Sequence, residues 1–222
     1  MMECVEGLKV ESLRIDFGRL KIQAGFVVRP GERVLLSGPS GSGKTSVLRW
    51  LAGFQVPGVC QGRLGLNGRD LTHASPERRE LGVLTQESVI FPGLTVFENA
   101  ALGLAVRGVS RKEQEAQVRP WLERCGLSQA AKQSASVLSG GERQRLALVR
   151  AWCWKPQALL LDEPFSALDP ALRREMGEWL VELHRQHPVP LVLITHDPEE
   201  ASRLGTRELV MKVPMPGIHV WD

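Results

Sequence analysis

Residues Gly38-Pro39-Ser40-Gly41-Ser42-Gly43-Lys44-Thr45 spell G-x-x-x-x-G-K-[ST], and they stand between a short Val/Leu-rich segment at 33–37 and a stretch of helical spacing at 44–51. No other feature constrains the fold as much. A strand must deliver the chain into a glycine-dense loop, and a helix must leave it. The glycines let successive N–H groups curl inward toward phosphate oxygens, and the helix presents its positive end to the same group. Lys44 is expected to reach the β- and γ-phosphates of a nucleoside triphosphate, and the Thr45 hydroxyl to meet Mg²⁺.

The rest of the chain supplies a setting for that loop. Residues 8–15 and 20–28 alternate apolar and polar side chains and read as antiparallel strands joined by a turn at 16–19. Further strands are expected at 62–68, 81–85, 158–161 and 191–195, and helices at 96–106, 110–124, 140–154 and 170–186, the last opening on Pro170. Strands that alternate with helices imply an α/β fold whose sheet is mostly parallel and covered on both faces. Residues 87–137 carry helical patterns only and read as an inserted helical subdomain, leaving a core of 1–86 and 138–222 in one domain. The tail after Lys212, with Pro214, Pro216 and Gly217, is expected to be loosely held.

Composition excludes several classes. The 222 residues are 43% apolar and 24% charged, which rules out a disordered or fibrous chain. A net charge of +3 is too small to argue for a nucleic-acid-binding face, and no nucleic-acid partner is expected. Cys4, Cys60, Cys125 and Cys153 are scattered and read as reduced thiols of a cytosolic protein. The first ten residues carry Glu3 and Glu6 and no long apolar stretch, so no secretory signal is expected. No window approaches the ~18 uninterrupted apolar residues of a membrane span.

Two more constellations carry chemistry. The apolar run 158–161 ends in Asp162-Glu163-Pro164. A buried strand ending in Asp162 places a carboxylate at the carboxyl edge of the sheet, where it can hold Mg²⁺, and Glu163 can act as general base toward water. Leu138-Ser139-Gly140-Gly141-Glu142 opens a helix on small residues, a second anion-binding geometry suited to another molecule's triphosphate. Other residues receive plainer readings. His73, His184, His187 and His219 show no metal-ligand spacing and read as solvated or internally satisfied, and Arg143, Arg145 and Arg150 as an exposed helix face or a dimer contact.

Taken together, these residues resemble the ATP-binding subunits of ABC transporters over nearly the whole chain. GPSGSGKT looks like Walker A, LSGGERQR like the family signature, LLLDEP like Walker B and Ser166-Ala167-Leu168-Asp169 like the D-loop. Gln86 fits the Q-loop, and His196, after LVLIT, the switch histidine. The resemblance implies a head-to-tail pair of ATPase subunits sandwiching two ATP molecules, with Mg²⁺. In such a pair Ser139, Gly140, Gly141 and Glu142 face the triphosphate of the other subunit. Glu163 is then the catalytic base, and His196 contacts the γ-phosphate. Gln86 senses Mg²⁺ and the attacking water, and Asp169 communicates across the interface. The chain has no Tyr, so Phe17 stands where an adenine-stacking tyrosine is usual; it reads either as that platform or as a strand-end core residue. Lys44-Thr45-Ser46 reverses the commoner hydroxyl order but keeps both hydroxyls, and Trp152 and Trp154 read as packing.

Phe91-Pro92-Gly93-Leu94-Thr95 and the Phe165-Ser166 that follow Asp162-Glu163-Pro164 are similar to importer ATPases, whereas efflux and lipoprotein-release relatives more often carry Thr-Gly-Asn after DEP. The expectation is therefore an import subunit on the cytoplasmic face of the membrane. Its expected partners are integral membrane permeases, a substrate-binding protein and a second copy of itself. The 26 residues after His196 leave no room for a regulatory domain. The alternatives are an exporter or lipoprotein-release ATPase, or an ATPase of a soluble assembly.

Overall fold

A computed structural model describes residues 6–87, 89–215 and 217–221, the side chain of Pro214 excepted. Glu3, Cys4 and Pro216 lie outside that set.

Strands β1 (Leu8–Asp16) and β2 (Lys21–Val28) bury alternate residues on either side of a bulge in β1 between Val10 and Leu13, and pair antiparallel from Leu8↔Val28 to Asp16↔Lys21. Their turn is tied by Asp16 Oδ1, which accepts from Gly18 N at 2.7 Å. Next come β3 (Arg33–Ser37), α1 (Lys44–Ala52), β4 (Val59–Leu66), β5 (Arg69–Asp70) and β6 (Leu81–Leu84). Two helices follow, α2 (Val96–Ala105) and α3 (Arg111–Arg124), and then α4 (Gly140–Trp152). The chain closes with β7 (Ala158–Asp162), α5 (Pro170–Gln186), β8 (Leu191–Ile194), α6 (Pro198–Leu204), β9 (Arg207–Val210), β10 (Lys212–Met215) and β11 (Ile218–Trp221).

Two sheets result. One has six strands in the order β10-β11-β2-β1-β4-β5; the other has five, β6-β7-β8-β3-β9, all parallel. The fold class is thus the expected one: α/β, a parallel core sheet with an antiparallel sheet beside it and helices inserted after β6. The parallel strands are buried on both faces, so their apolar runs divide by parity. Leu159, Leu161, Leu191 and Leu193 face the helices α2, α4 and α5. Ala158, Leu160, Val192 and Ile194 face α1 and the six-stranded sheet.

The helices start where their sequences cap them. Thr95 with Glu98, Ser110 with Glu113 and Ser139 with Glu142 each form a reciprocal capping box at α2, α3 and α4. Val118 and Leu122 of α3 join Leu104, Leu146 and Trp152 in one cluster. Trp121 meets Trp179 edge-on at 5.1 Å, and Trp154 packs on Gly103 with the Arg107 guanidinium 3.6 Å above its ring, so the tryptophans do pack. Cys60, Cys125 and Cys153 are free, and burial pushes the thiols of Cys125 and Cys153 up to about 12.

The C-terminal tail departs from expectation. It is not loose: β10 and β11 form a hairpin, and β11 lies parallel to β2 with Ile218↔Lys21 through Trp221↔Ala24 in register. Trp221 is completely buried, and burying a side chain of that size stabilises by roughly 2–3 kcal/mol. Gly217, read as part of a loose end, instead takes φ 76° at the entry to β11.

Candidate functional site: the carboxyl edge of the parallel sheet

Strand register assembles the site. Leu84 of β6 pairs with Leu161 of β7, so Gln86 and Glu163 leave the sheet at one level. Asp162 pairs with Ile194 of β8, and Leu193 with Leu35 of β3, which brings His196 level with Gly38. Every motif that follows a parallel strand therefore opens on the same edge, where α/β proteins bind ligands.

The loop from Gly38 to Gly43 is the centre of that edge. Gly43 has φ 97°, and a Cβ there would run into Ile22 Cδ1, so only glycine fits both the turn and the contact. The N–H groups of Gly41, Gly43, Lys44 and Thr45 donate to no protein acceptor among the described residues. Such unpaired donors at a helix start are what an anionic oxygen satisfies. Lys44 Nζ donates to Gly38 O at 2.7 Å and Pro39 O at 3.0 Å, holding its charge over the loop. Pro39 and Ser40 are exposed at the mouth of a cleft of about 790 Å³ that also takes in His196 and Asp197. Ser46 lies on α1 and is half-buried.

Thr45 Oγ1 donates to Asp162 Oδ2 at 2.8 Å across a sequence separation of 117 residues. Burial pushes the Asp162 carboxyl up, and the Thr45 hydroxyl partly offsets it. A hydroxyl and a carboxylate side by side form a hard-oxygen pair that fits a divalent cation. No group of three or more His, Cys, Asp or Glu side chains is placed to hold a metal among the described residues. The remaining oxygens around such an ion would have to come from phosphate and water.

Glu163 sits in the left-handed region at φ 51°, a strained setting for a non-glycine residue, and its N–H is anchored to Ile194 O at 2.9 Å. Its Oε1 lies 2.8 Å from His196 Nδ1. A carboxylate only accepts, so Nδ1 carries the proton and Nε2 is the ring's second site. The hydrogen bond and charge of Glu163 raise the His196 pKa. Gln86 is exposed beyond β6 and makes no side-chain hydrogen bond among the described residues.

Ser139, Gly140 and Gly141 do not join this edge. Ser139 and Gly140 are exposed at the start of α4 and share no hydrogen bond with residues 38–45 among the described residues. The Glu142 carboxylate accepts from Ser139 N at 2.8 Å and Ser139 Oγ at 2.7 Å, which lowers its pKa. Asp169 caps α5 by accepting from Leu172 N at 3.1 Å and is exposed. Phe17 packs half-buried against the antiparallel-sheet core, its ring 3.2 Å from where a Gly58 Cβ would stand.

Sequence reasoning missed three residues here. Gln144, 1% exposed, donates to Glu163 O at 2.8 Å and accepts from Ala167 N at 2.8 Å, binding α4 to the turn after β7. The signal was a neutral amide one helical turn after Gly141, on the inward face. Arg173 donates to Asp197 Oδ2 at 2.8 Å and to Leu168 O at 3.2 Å, and its Nε is 3.5 Å from Glu200, so one guanidinium joins the Asp169 turn to the His196 turn. His219 lies 3.1 Å from Ser42 O, inside the phosphate loop's own backbone. Arg150 corrects an expectation. Its guanidinium is turned in from the helix surface, bonded to Val89 O and 5.2 Å over the Phe91 ring. His184 is satisfied internally, between Val189 O at 2.7 Å and Arg33 Nη1 at 3.3 Å.

A glycine loop leading from a parallel strand into a helix, served by acidic residues from the next strands over, defines a nucleotide-binding protein of the P-loop class. Residues 23–166 match the family described as ABC transporter, and the chain belongs to that family. The sulfate/thiosulfate import ATP-binding protein CysA of Thermosynechococcus vestitus is 41% identical over 207 residues, covering 92% of this chain and 61% of that protein. The protein of the same name from Mycobacterium tuberculosis H37Rv is 44% identical over 186 residues, covering 84% and 52%. The one from Nephroselmis olivacea is 40% identical over 198 residues, covering 88% and 57%. The chain thus spans 52% to 61% of the length of these relatives. No helix among the described residues is long and apolar enough to cross a membrane.

Proposed function

We propose that this chain is the ATP-hydrolysing subunit of an importer, one ATPase domain with a core of 1–86 and 138–222 and a helical subdomain at 87–137. The observation that carries the reading is the pairing along one sheet edge: Thr45 with Asp162 at 2.8 Å and Glu163 with His196 at 2.8 Å. ATP lies along residues 38–46 with its triphosphate on the unpaired N–H groups, and Phe17 offers ring surface to adenine. Mg²⁺ is held by Thr45, Asp162 and Gln86, and supplies charge neutralisation to the phosphates. Glu163 takes a proton from water as its oxygen attacks the γ-phosphorus and the bond to the ADP oxygen breaks. His196, in its doubly protonated form, keeps Nδ1–H on Glu163 and donates a hydrogen bond from Nε2–H to the transferring phosphoryl group. Catalysis here is positioning plus charge stabilisation.

Two copies pack head to tail, so that Ser139–Glu142 of one copy completes the triphosphate site of the other and Asp169 lies at the interface. The exposure of Ser139 and Gly140 supports this arrangement. Closure of the pair then drives separate membrane permeases from the cytoplasmic face, with a substrate-binding protein delivering cargo. The import named in the relatives supports that direction.

The test uses the Glu163→Gln variant. It should bind Mg-ATP as the parent does, lose about 100-fold or more in hydrolysis, and form an ATP-dependent dimer by light scattering. A variant that hydrolyses at the parent rate removes Glu163 from the base role. A strictly monomeric ATP-loaded variant, even when concentrated, removes the shared site.

A further inference from the structure

The geometry points to His219, with Trp221, as positioning residues for the phosphate loop. They are ring N–H donors on the C-terminal strand that fix the direction of the loop's peptide groups. This deepens the reading of residues 38–46 as a triphosphate site and rests on it.

The loop carries unpaired N–H groups, and a binding site of that kind is only as good as their aim. A trans peptide holds its C=O and N–H in one plane pointing opposite ways, and no cis peptide occurs among the described residues. Ser42 O faces outward to His219 Nδ1 at 3.1 Å. The same plane therefore turns the Gly43 N–H in the opposite direction, away from β11 and toward the unpaired donors of Lys44 and Thr45.

One peptide earlier in the cradle is held the same way. Ser37 O accepts from Trp221 Nε1 at 3.2 Å and from Met211 N at 3.0 Å, which aims the Gly38 N–H. A carbonyl only accepts, so the neutral His219 ring must carry its proton on Nδ1.

The strand bearing these rings is itself fixed. β11 pairs with β2 at His219↔Ile22, and Ile22 Cδ1 closes on Gly43 from the same side. Ser42 is 1% exposed and Trp221 fully buried, so water does not readily replace either bond. The loop is thus gripped from outside by His219 and Trp221 of β11, far from the motifs in sequence.

The experiment compares His219→Phe with His219→Asn in the full chain, measuring the Kd for a fluorescent ATP analogue and for ATP itself. Phe keeps the ring and loses the donor. Asn places its Nδ2 two bonds from Cβ, as His places Nδ1, and restores the donor. His219→Phe should raise Kd about tenfold through lost preorganisation, with His219→Asn within about twofold of the parent. Equal Kd for the parent and the Phe variant, or equal weakening by Phe and Asn, overturns the assignment.

A second measurement needs no variant. In ¹⁵N NMR of the unsubstituted chain above pH 8, His219 should be the Nδ1–H tautomer, and an Nε2–H tautomer overturns the assignment even if the Phe variant does not fold. The parent's own binding of ATP is the separate control. A parent that binds no ATP refutes the reading of the site, whereas a wrong tautomer with tight ATP binding refutes the clamp alone.

Discussion

The helix leaving the phosphate loop and the helix opening at Gly140 both begin on glycine, and their surroundings differ at every point. At α1 the loop has long-range partners: Asp162 on Thr45, His219 on Ser42, Trp221 and Met211 on Ser37, Ile22 against Gly43. At α4 the cap is local. Ser139 and Glu142 satisfy each other within one turn, and Gly140 is exposed while Gly141 lies against Ala167 and Leu168. A helix start that is aimed by the fold is a cradle preset within the chain. One that is merely capped is a surface, shaped but left for something that arrives.

The sharpest way to break this contrast is Ser139→Arg. The change removes a cap worth about 1 kcal/mol and fills the exposed face with a bulky cation. Hydrolysis should fall about 100-fold, the scale of losing a positioned donor, while ATP binding to the isolated chain stays within about twofold. If binding fell in step with hydrolysis, the two helix starts would belong to one site inside one chain, and the contrast would be lost.

A smaller effect separates residues proposed to touch phosphate from those that hold them. Arg173 joins Leu168 O, Asp197 and Glu200. Its partner Glu200 is nearly buried and also accepts from Thr195 Oγ1 at 2.7 Å. Arg173→Gln should lower kcat on the order of tenfold by loosening the His196 turn, with ATP Kd unchanged. Combined with His196→Ala it should add little further loss, because both changes act through the same ring. Additive losses would show that Arg173 works elsewhere.

These residues also mark where the sequence is legible and where it is not. Motifs bound to a local backbone shape are readable: Gly43 because its turn needs it, Asp162 because a strand of leucines ends there, and the tryptophans because nothing but packing suits them. Arg173, Gln144 and His219 are invisible for one shared reason. Each earns its role from a partner at long range, 24 residues away for Arg173 and Asp197 and 177 for His219 and Ser42, and no periodicity or spacing encodes such a pairing. Strands β10 and β11 failed to read for a related cause: only the tertiary fold supplies the edge of β2 on which β11 pairs. Arg150 read as surface because its helix position is polar, and the ring of Phe91 that draws it in comes from a distant segment.

The smallest effect concerns the ion pair at the sheet edge. Glu163 raises the His196 pKa above its ordinary value of 6.5, chiefly through the hydrogen bond and then through charge. Because the folded value lies above the unfolded one, the stability contributed by this pair is fully present below about pH 6.5 and is lost as pH rises through the raised value. The ring is largely exposed, so solvent screening keeps that contribution small. An NMR titration of the nucleotide-free chain should place His196 above 6.5, and Glu163→Gln should bring it down. A His196 value indifferent to the charge on Glu163 would mean that the 2.8 Å contact is not an ion pair in solution. Glu163 and His196 would then have to be brought together by something outside this chain.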